Sequence, residues 1–468
     1  MSQLTRRGAR GLLAALMLLA APLAAADGDP LGGGFAPFDL GGGNADTAAA
    51  VAVQPDGKVI VLGTVATGAG TFRPALARFL PDGTLDAAFG TGGRVIDPLG
   101  IGNQTGAAVH LLRTGRILVA GTHESGPAGN SDFYVLRLLE DGSVDGTFGS
   151  FGFTLVPFDL GGDLTDTLAA MTVDRNDRIL VAGAVDVSPT DIDFGVARLL
   201  AGGGLDTDFS GDGMTTVPVS TAGGIDGALA ITYHTTGIVV GGATWATDLG
   251  GHFDFALARL AGDGSLDAGF GSGGRVVMPW ALGGTNNDFC WGLGIWPDGE
   301  IVAASDVATA ANEWKWMLQR FSPNGTYLDG VLGTFCDSPT PPCPAPPQDS
   351  PRALLLQGDG KVLIAGFASG ASGTRDFAVA RFHRALGFDA SFGAGGTRTH
   401  DLGWGIGSAS DTGTAMAFDR DGRIVVAGSA EWSGLDTDFA WARFDSSYIY
   451  AEGFDWPGGT ARWSSTVP

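Results

Sequence analysis

One stretch of sequence recurs seven times along this 468-residue chain. Each copy contains an arginine within a similar run of residues, which is clearest in DFALARLAGDGSLDAGFGSGGRVV (254–277). The arginines, spaced 59 to 62 residues apart, are Arg78, Arg137, Arg198, Arg259, Arg320, Arg381 and Arg443. A constant period of this length indicates a repeat architecture in which each copy forms one structural unit.

Two short apolar runs, separated by a tight turn, precede the arginine in each repeat. The clearest copies are AVAVQPDGKVIVLG (50–63) and ALLLQGDGKVLIAG (353–366). Asp-Gly between apolar runs favours a β-hairpin, because glycine accepts the positive φ that a primed turn requires. A second hairpin follows around the arginine, and no helical period occurs after residue 26. We therefore expect an all-β fold, a seven-bladed β-propeller whose blades are four-stranded and antiparallel.

The seventh repeat contains only three of the four expected strands. The sequence PFDLGG at 37–42 recurs at 157–162, where it ends a fourth strand. We expect the N-terminal segment to supply the missing outer strand, so that the propeller comprises residues 27–445. Closure of this kind would leave no free sheet edge and would hold the two ends of the chain together.

These repeats resemble the delta-60 repeat family, a bacterial β-propeller repeat. The resemblance extends over about residues 31–445 and is most specific in LARFLPDGTLDAAFGTGGRV (76–95). It is weaker in the fifth repeat, where LQRFSPNGTYLDGVLGTF (318–335) lacks the Gly-Gly step. The resemblance implies a propeller and implies no particular activity.

The two ends of the chain differ from the repeats. Arg6, Arg7 and Arg10 precede an apolar stretch that ends in small residues at 24–26, which is typical of a secretory signal peptide over residues 1–26. We expect a secreted, periplasmic or cell-surface protein without a transmembrane span. The stretch 446–468 is interpreted as a C-terminal tail or an additional strand.

Charge and cysteine content narrow the range of partners. The formal net charge of −23 disfavours nucleic acid and anionic membranes as partners, and we expect a monomer.

Cys336 and Cys343 bracket a short insertion in which a disulfide is expected, whereas Cys290 is interpreted as a buried structural thiol. The acidic stretch LDTDFSGDG (205–213) resembles a calcium loop, but its position makes it the third copy of LDAAFGTGG (85–93).

Two sets of acidic residues recur with the repeat. The first lies eight residues after the repeat arginine and comprises Asp86, Asp145, Asp206, Asp267 and Asp389. We expect each of these to form an ion pair with the arginine of its own blade. The second set lies where each innermost strand begins and comprises Asp46, Asp166, Asp226, Asp288, Asp349 and Asp411, with Gln104 in the second repeat.

The second set predicts a ring at one mouth of the central channel, with two interpretations. In the first, each aspartate caps backbone N–H groups of its own or the next blade. In the second, the ring is a cation-binding rim. Neighbouring carboxylates repel each other and raise each other's pKa, and a bound Ca²⁺ would relieve this repulsion. The sequence predicts no cofactor with certainty, and Ca²⁺ binding is kept as an open hypothesis.

All eleven tryptophans lie after residue 244, which breaks the repeat symmetry. Trp280 and Trp404 are expected in outer-to-inner connections, and Trp245 and Trp432 in loops between second and third strands. These two kinds of loop share one face of a propeller, so the four side chains predict a ligand-binding surface for a glycan, peptide or protein. The alternative is that they fill the interfaces between blades. The remaining strand tryptophans, interpreted as packing residues, are Trp291, Trp296, Trp314, Trp316 and Trp441.

The sequence contains no catalytic motif such as H-E-x-x-H, G-x-S-x-G or C-x-x-C. Three hypotheses for function stay open. The first is an exported binding or interaction scaffold, without catalytic residues. The second is a propeller hydrolase or lyase that acts on glycans or lactones through acidic residues at the channel mouth. The third is a structural envelope protein.

Overall fold

The computed structural model contains only β-strands as regular elements in the part of the chain that it describes. That part is residues 46–445 without 69, 125–129, 162–164, 221–222, 246–251, 281, 283–286, 311–312, 336–346, 370–373, 403–409 and 434–435. The expected N-terminal outer strand, the loop with Cys336 and Cys343, and the C-terminal tail lie outside it. Within it, no helix is long and apolar enough to cross a membrane.

The 27 strands divide into seven consecutive antiparallel units, six of them four-stranded and the last three-stranded. A single parallel pair, Ile192 with Ile225, joins the third and fourth units into one sheet. Units one to four comprise β1 (Asp46–Val53), β2 (Val59–Gly68), β3 (Thr71–Phe79), β4 (Arg94–Ile96); β5 (Gln104–Leu111), β6 (Ile117–Glu124), β7 (Ser131–Leu138), β8 (Phe153–Val156); β9 (Thr167–Val173), β10 (Ile179–Ser188), β11 (Asp191–Leu199), β12 (Met214–Val217); and β13 (Ile225–His234), β14 (Gly237–Trp245), β15 (Phe253–Leu260), β16 (Arg275–Met278). Units five to seven comprise β17 (Asp288–Ile295), β18 (Ile301–Ala310), β19 (Glu313–Phe321), β20 (Tyr327–Gly333); β21 (Ser350–Leu356), β22 (Val362–Ser369), β23 (Arg375–Phe382), β24 (Thr397–His400); and β25 (Asp411–Phe418), β26 (Ile424–Ser433), β27 (Asp436–Phe444). Each unit contains the two predicted hairpins in order, so its strands pair sequentially from first to last.

The first strand of each unit lies on the inside of the assembly. Each first strand contacts the first strand of the next unit, and β1 also contacts β25 of the last unit. The fourth strands pair only with the third strands of their own units and lie at the outer edges. Residues at the beginning of first strands are therefore brought together from all units.

Apolar side chains pack between units, which explains why most of the first three strands of each unit carry them on both faces. The buried apolar residues form seven clusters, each made by two neighbouring units. One cluster joins the last unit to the first, with Trp441 and Phe439 packed against Val59 and Phe79. The core thus consists of layers between sheets rather than one central mass.

The hydrogen bonds between the last and first units are equivalent to those between other neighbouring units. The Ser429 hydroxyl accepts from the backbone N–H of Ala48 at 3.0 Å, as the Thr64 hydroxyl accepts from Gly106 at 3.1 Å. Arg443 donates to the backbone carbonyl of Pro81 at 2.9 Å, as Arg137 of the second unit donates to Ala201 of the third at 2.8 Å. The junction between the last and first units therefore repeats the contacts found elsewhere along the chain.

The predicted arginine–aspartate ion pairs are confirmed in all five repeats that contain both residues. The N–O distances are 2.7 to 2.9 Å for Arg78–Asp86, Arg137–Asp145, Arg198–Asp206, Arg259–Asp267 and Arg381–Asp389. Each of these arginines also lies over a phenylalanine of its own repeat, for example Arg198 at 4.7 Å from the ring centroid of Phe209. The arginine therefore closes the second hairpin by charge and by stacking.

Candidate functional site

The six aspartates of the predicted ring are buried at the start of the first strands. Asp46, Asp226, Asp288 and Asp349 are 0% exposed, and Asp166 and Asp411 at most 3%. Gln104 is buried at the same position in the second unit. The ring residues therefore lie where contacting first strands begin, with their side chains enclosed by the protein, and their arrangement as a ring at a channel mouth stays a prediction.

Backbone N–H groups are the main partners of these carboxylates. Asp226 accepts from Val219 at 2.6 Å and Ser220 at 2.8 Å, and also from the Thr244 hydroxyl at 2.6 Å. Asp349 accepts from Phe335 at 2.7 Å and Ser369 at 2.9 Å. One carboxylate oxygen binds the segment that leaves the preceding unit, and the other binds the second strand of the same unit. These bonds are the ones that the capping interpretation requires.

Burial makes several of these carboxyl groups weaker acids than an ordinary aspartate. It raises the pKa of Asp166 and Asp411 to about 6 and that of Asp288 to about 8. A third-strand aspartate of the preceding unit raises each pKa further, through Asp132, Asp376 and Asp254 respectively. Two carboxyl groups therefore lie near one another at these junctions, away from water.

Cation binding by the ring stays a prediction. In the described residues, no three or more His, Cys, Asp and Glu side chains are grouped so that they could hold a metal ion. The stretch 205–213 forms the turn of the second hairpin, where Asp206 is paired with Arg198 at 2.7 Å. Its interpretation as a repeat turn rather than a calcium loop is consistent with this pairing.

The structure places the four loop tryptophans in different environments. Trp280 lies in the connection from β16 to β17, as expected, and is half-buried. Its indole N–H donates to Gln319 at 3.1 Å, and its ring packs edge-on against Tyr327 at 5.4 Å. These contacts fit the packing alternative, and a role in ligand binding stays a prediction. Trp404 lies outside the described residues.

The expectation that Trp245 and Trp432 lie in loops is wrong. Trp245 is the last residue of β14, and Trp432 lies in β26. The second strands extend farther than the sequence suggested, because they continue to pair at their ends, with Trp245 opposite both Ile225 and Phe253. Trp245 is half-buried, and the side chain of Trp432 lies outside the described part.

Every first strand contains a β-bulge at the same position, three residues after the ring residue. The pairing register with the second strand shifts there in all seven units. The extra residues are Ala49, Ala107, Ala169, Leu229, Trp291, Arg352 and Thr414. All seven are partly exposed although both sequence neighbours of each are buried, so the side chain at the bulge is more accessible than those before and after it. A bulge redirects a side chain in this way because the extra residue has no partner across the ladder.

The bulge residues of units five and six form one contact. The guanidinium carbon of Arg352 lies 3.7 Å from the ring centroid of Trp291. Arg352 also lies 5.5 Å from the ring of Phe367 on the second strand of its own unit. Trp291, interpreted from the sequence as a strand packing residue, therefore supplies the face on which a neighbouring cation stacks.

A buried carboxylate and further aromatic rings border this pair. Asp306 is 5% exposed and accepts from the Ser350 hydroxyl at 2.7 Å. Burial raises the pKa of Asp306, while Arg352, the Ser350 hydroxyl and the Trp291 indole oppose that rise. Phe289, two residues before Trp291, lies 6.0 Å from it and 6.3 Å from Trp314, centroid to centroid.

Repeat comparison shows how unusual this junction is. Where the first and second units carry Thr64 and Thr122, the fifth carries Asp306 and the sixth Phe367. Where the first three units carry alanine at the bulge, the fifth and sixth carry Trp291 and Arg352. We refer to Phe289, Trp291, Asp306, Arg352 and Phe367 as the axial cluster.

Four segments of the chain match the family model described as "Domain of unknown function (DUF5122) beta-propeller". They are residues 54–89, 113–148, 237–270 and 357–392. Each begins one to three residues after the end of a first strand and ends at the phenylalanine of the second hairpin. The expected resemblance to a β-propeller repeat family of the delta-60 kind is thereby confirmed.

A search of curated protein sequences gives no match. Among solved structures, the chain is similar to a protein of unknown function from Dyadobacter fermentans, with 12% identity over 86% of this chain and 96% of that chain and a TM-score of 0.45. It is also similar to the β-propeller domain of the Trilobed protease from Pyrococcus furiosus (10% identity, 85% and 95% covered, TM-score 0.42). A third similar structure is a family PL25 ulvan lyase (11% identity, 90% and 95% covered, TM-score 0.45). These identities are too low to transfer an activity to this chain.

Proposed function

We propose that this protein is an exported, closed seven-bladed β-propeller that binds a ligand at its axis, against the inner strands of the fifth and sixth units. The ring closes between the last and first units, and the N-terminal segment adds the outer strand of the seventh blade. The signal peptide over residues 1–26 directs the chain out of the cytoplasm. The propeller acts as a binding scaffold rather than as an enzyme.

Support for closure comes from the contacts at the junction between the last and first units. Arg443 and Pro81, and Ser429 and Ala48, repeat bonds found between consecutive units. The apolar layer with Trp441 and Phe79 is formed, like the other six, by buried apolar side chains of two units. An open arc of blades would leave these groups exposed to water, at a cost in free energy that grows with the apolar area.

The observation that carries the binding role is the asymmetry of the seven bulge residues. The first three units carry alanine at this partly exposed position, whereas the fourth, fifth and sixth carry the larger side chains of Leu229, Trp291 and Arg352. A repeat protein needs no such departure for stability, because its units can use the same residue in each copy. A concave space with aromatic and polar groups on one wall is typical of a ligand site.

The test is a binding screen with matched variants. The protein is screened by thermal shift against simple sugars, organic acids, amino acids and short peptides, and tryptophan fluorescence is followed during titration of each compound that stabilises it. We expect at least one compound to stabilise the protein and to lose this effect in Trp291→Leu. Trp441→Phe, a change in the core between the last and first units, should leave binding intact. Compounds that stabilise both variants equally would contradict an axial site.

A further inference from the structure

We infer that the axial cluster binds a small ligand with a single anionic group next to a ring that has an apolar face, the anion on Arg352 and the ring against the aromatic residues beside it. This inference rests on the proposed axial binding site and names its ligand class. Ring-bearing carboxylic acids, aromatic or sugar-derived, share this chemistry.

The first argument is the hydrogen bonding of Arg352. A guanidinium has five N–H donors in a planar fork and no acceptor. In the described residues the Arg352 side chain donates no hydrogen bond and lies within ion-pair distance of no carboxylate; its contacts are the rings of Trp291 and Phe367. By contrast, the repeat arginine Arg137 donates to Asp145, Thr147 and Ala201. Arg352 is thus a half-buried cation whose donors have no acceptor among the described residues.

The second argument is the grouping of positive charge in an acidic protein. The guanidinium carbon of Arg375 lies 4.5 Å from the centroid of the same Phe367 ring that Arg352 approaches. Burial lowers the pKa of Arg352, and the charge of Arg375 lowers it further, while Asp306 raises it. Two arginines near one aromatic ring repel each other, and a bound anion would relieve that repulsion.

The third argument concerns the shape and size of the ligand. Arginine stacked on an aromatic face keeps its fork in one plane, which matches the two oxygens of a carboxylate. Phe289 lies 6.0 Å from Trp291, centroid to centroid, and so extends the aromatic surface on which Arg352 stacks. The net charge of −23 disfavours a polyanion, because approach to the protein would be repelled at long range. A monoanion with one apolar face matches the guanidinium fork and the aromatic surface, and the acidic protein repels it less than it repels a polyanion.

The experiment compares acids with neutral compounds of the same shape by isothermal titration calorimetry. Benzoate is paired with benzyl alcohol, and D-glucuronate with D-glucose. We expect at least one acid to bind at least tenfold more tightly than its neutral counterpart, and the arm that binds identifies the ring as aromatic or sugar. In Arg352→Met the affinity for that acid should fall roughly tenfold to a hundredfold, as expected for the loss of a charge-assisted pair.

Matched variants separate the role of Arg352 from general effects. Arg384 also stacks on a tryptophan, Trp296 at 4.7 Å, but its guanidinium is already paired with Asp298 and Glu300, so Arg384→Met should bind the acid normally. Arg352→Lys keeps the charge without the fork, should bind with intermediate affinity, and replaces Arg352→Met if the latter does not fold by circular dichroism.

The outcomes distinguish this inference from the proposed function. Equal affinity for acid and neutral compound, with binding that still depends on Trp291, would overturn the ligand class and keep the axial site. Failure of both acids to bind the folded protein, or acid binding unchanged in the folded Arg352 variants, would overturn the inference. Binding of every compound unaffected by Trp291→Leu would overturn the axial site as well.

Discussion

The Arg352 guanidinium carbon lies 3.7 Å from the centroid of the Trp291 ring, although the two residues belong to different repeats. They meet because each sits at the β-bulge of a first strand, and first strands of neighbouring units are in contact. The bulge is present in every unit, so the backbone provides the same position seven times and only the side chain differs. Function can therefore be introduced at one junction without changing the scaffold.

The repeat ion pairs should contribute to stability according to their burial. The side chains of Arg198 and Asp206 are 2% and 5% exposed. We expect Asp206→Asn to lower the free energy of unfolding by about 3 kcal/mol, because it leaves a buried guanidinium without its counter-charge. Asp267→Asn is the matched control, since the Asp267 side chain is 28% exposed and water can compensate, and it should have a clearly smaller effect. Urea denaturation of both variants checks this, and equal losses would contradict a dependence on burial.

The buried carboxyl groups between units should make stability fall as pH rises. Burial raises the pKa of Asp288 to about 8, with Asp254 and Asp306 adding to the rise and the N–H groups of Trp280 and Ala308 opposing it. The folded state thus holds a proton that the unfolded state releases near pH 4. Its contribution to stability is complete below pH 4 and is lost as pH rises toward 8, by about 1 kcal/mol for each unit of pKa.

Asp288→Asn tests this dependence, because it keeps a neutral side chain at every pH. The melting temperature of the wild type should fall more between pH 5 and pH 9 than that of Asp288→Asn. The variant should retain a smaller slope, since burial also raises the pKa of Asp166 and Asp411. Parallel curves for the two proteins would show that Asp288 is ionised throughout this range.

The Trp280 side chain should contribute to the stability of the folded protein. Its indole donates to the buried side chain of Gln319, which in turn donates to the Ser305 hydroxyl at 2.7 Å. We expect Trp280→Ala to cost about 2 kcal/mol through lost packing and an unsatisfied Gln319 oxygen. Trp280→Phe should cost less, because the ring can still contact Tyr327. Thermal denaturation measures both, and an unchanged melting temperature in Trp280→Ala would favour the surface role predicted from the sequence.

A glycine is favoured at position 273, in the turn of the second hairpin, by the backbone conformation and not by a lack of room for a side chain. Gly273 has φ +59° with no atom within 4 Å of an added Cβ, and Gly202 has equally open surroundings without a positive φ. Gly273→Ala should therefore lower the free energy of unfolding by about 1 kcal/mol, because an L-residue is strained in the left-handed region. Gly202→Ala should be neutral or slightly stabilising. Similar melting temperatures for the two variants would contradict this explanation.

The sequence was sufficient for the parts of the molecule that repeat. The Asp-Gly turns predict the first hairpin in four of the seven units and the repeat period predicts it in the others, and the eight-residue spacing from Arg198 to Asp206 predicts their ion pair. Period and turn chemistry are local, and they recur often enough to be recognised without a structure. The capping interpretation of the ring aspartates likewise anticipated the bonds that Asp226 and Asp349 make.

The axial cluster was not predicted, because it depends on an irregularity within a strand. Trp291 reads as one more apolar residue of an inner strand, and nothing local marks the bulge that turns it out of the ladder. A signal was nevertheless present: three residues after Asp46, Asp288 and Asp349 stand Ala49, Trp291 and Arg352. Comparison of the repeats at each position, and not only at their shared residues, would have identified the junction.

The most direct test of the account is a crystal structure of the protein with whichever acid, benzoate or D-glucuronate, binds more tightly. The account predicts seven blades around one axis, the carboxylate within hydrogen-bond distance of the Arg352 guanidinium, and the ring of the acid against Phe289 or Trp291. A ligand bound on the outer surface, or an Arg352 side chain hydrogen-bonded within the protein and away from the axis, would contradict it.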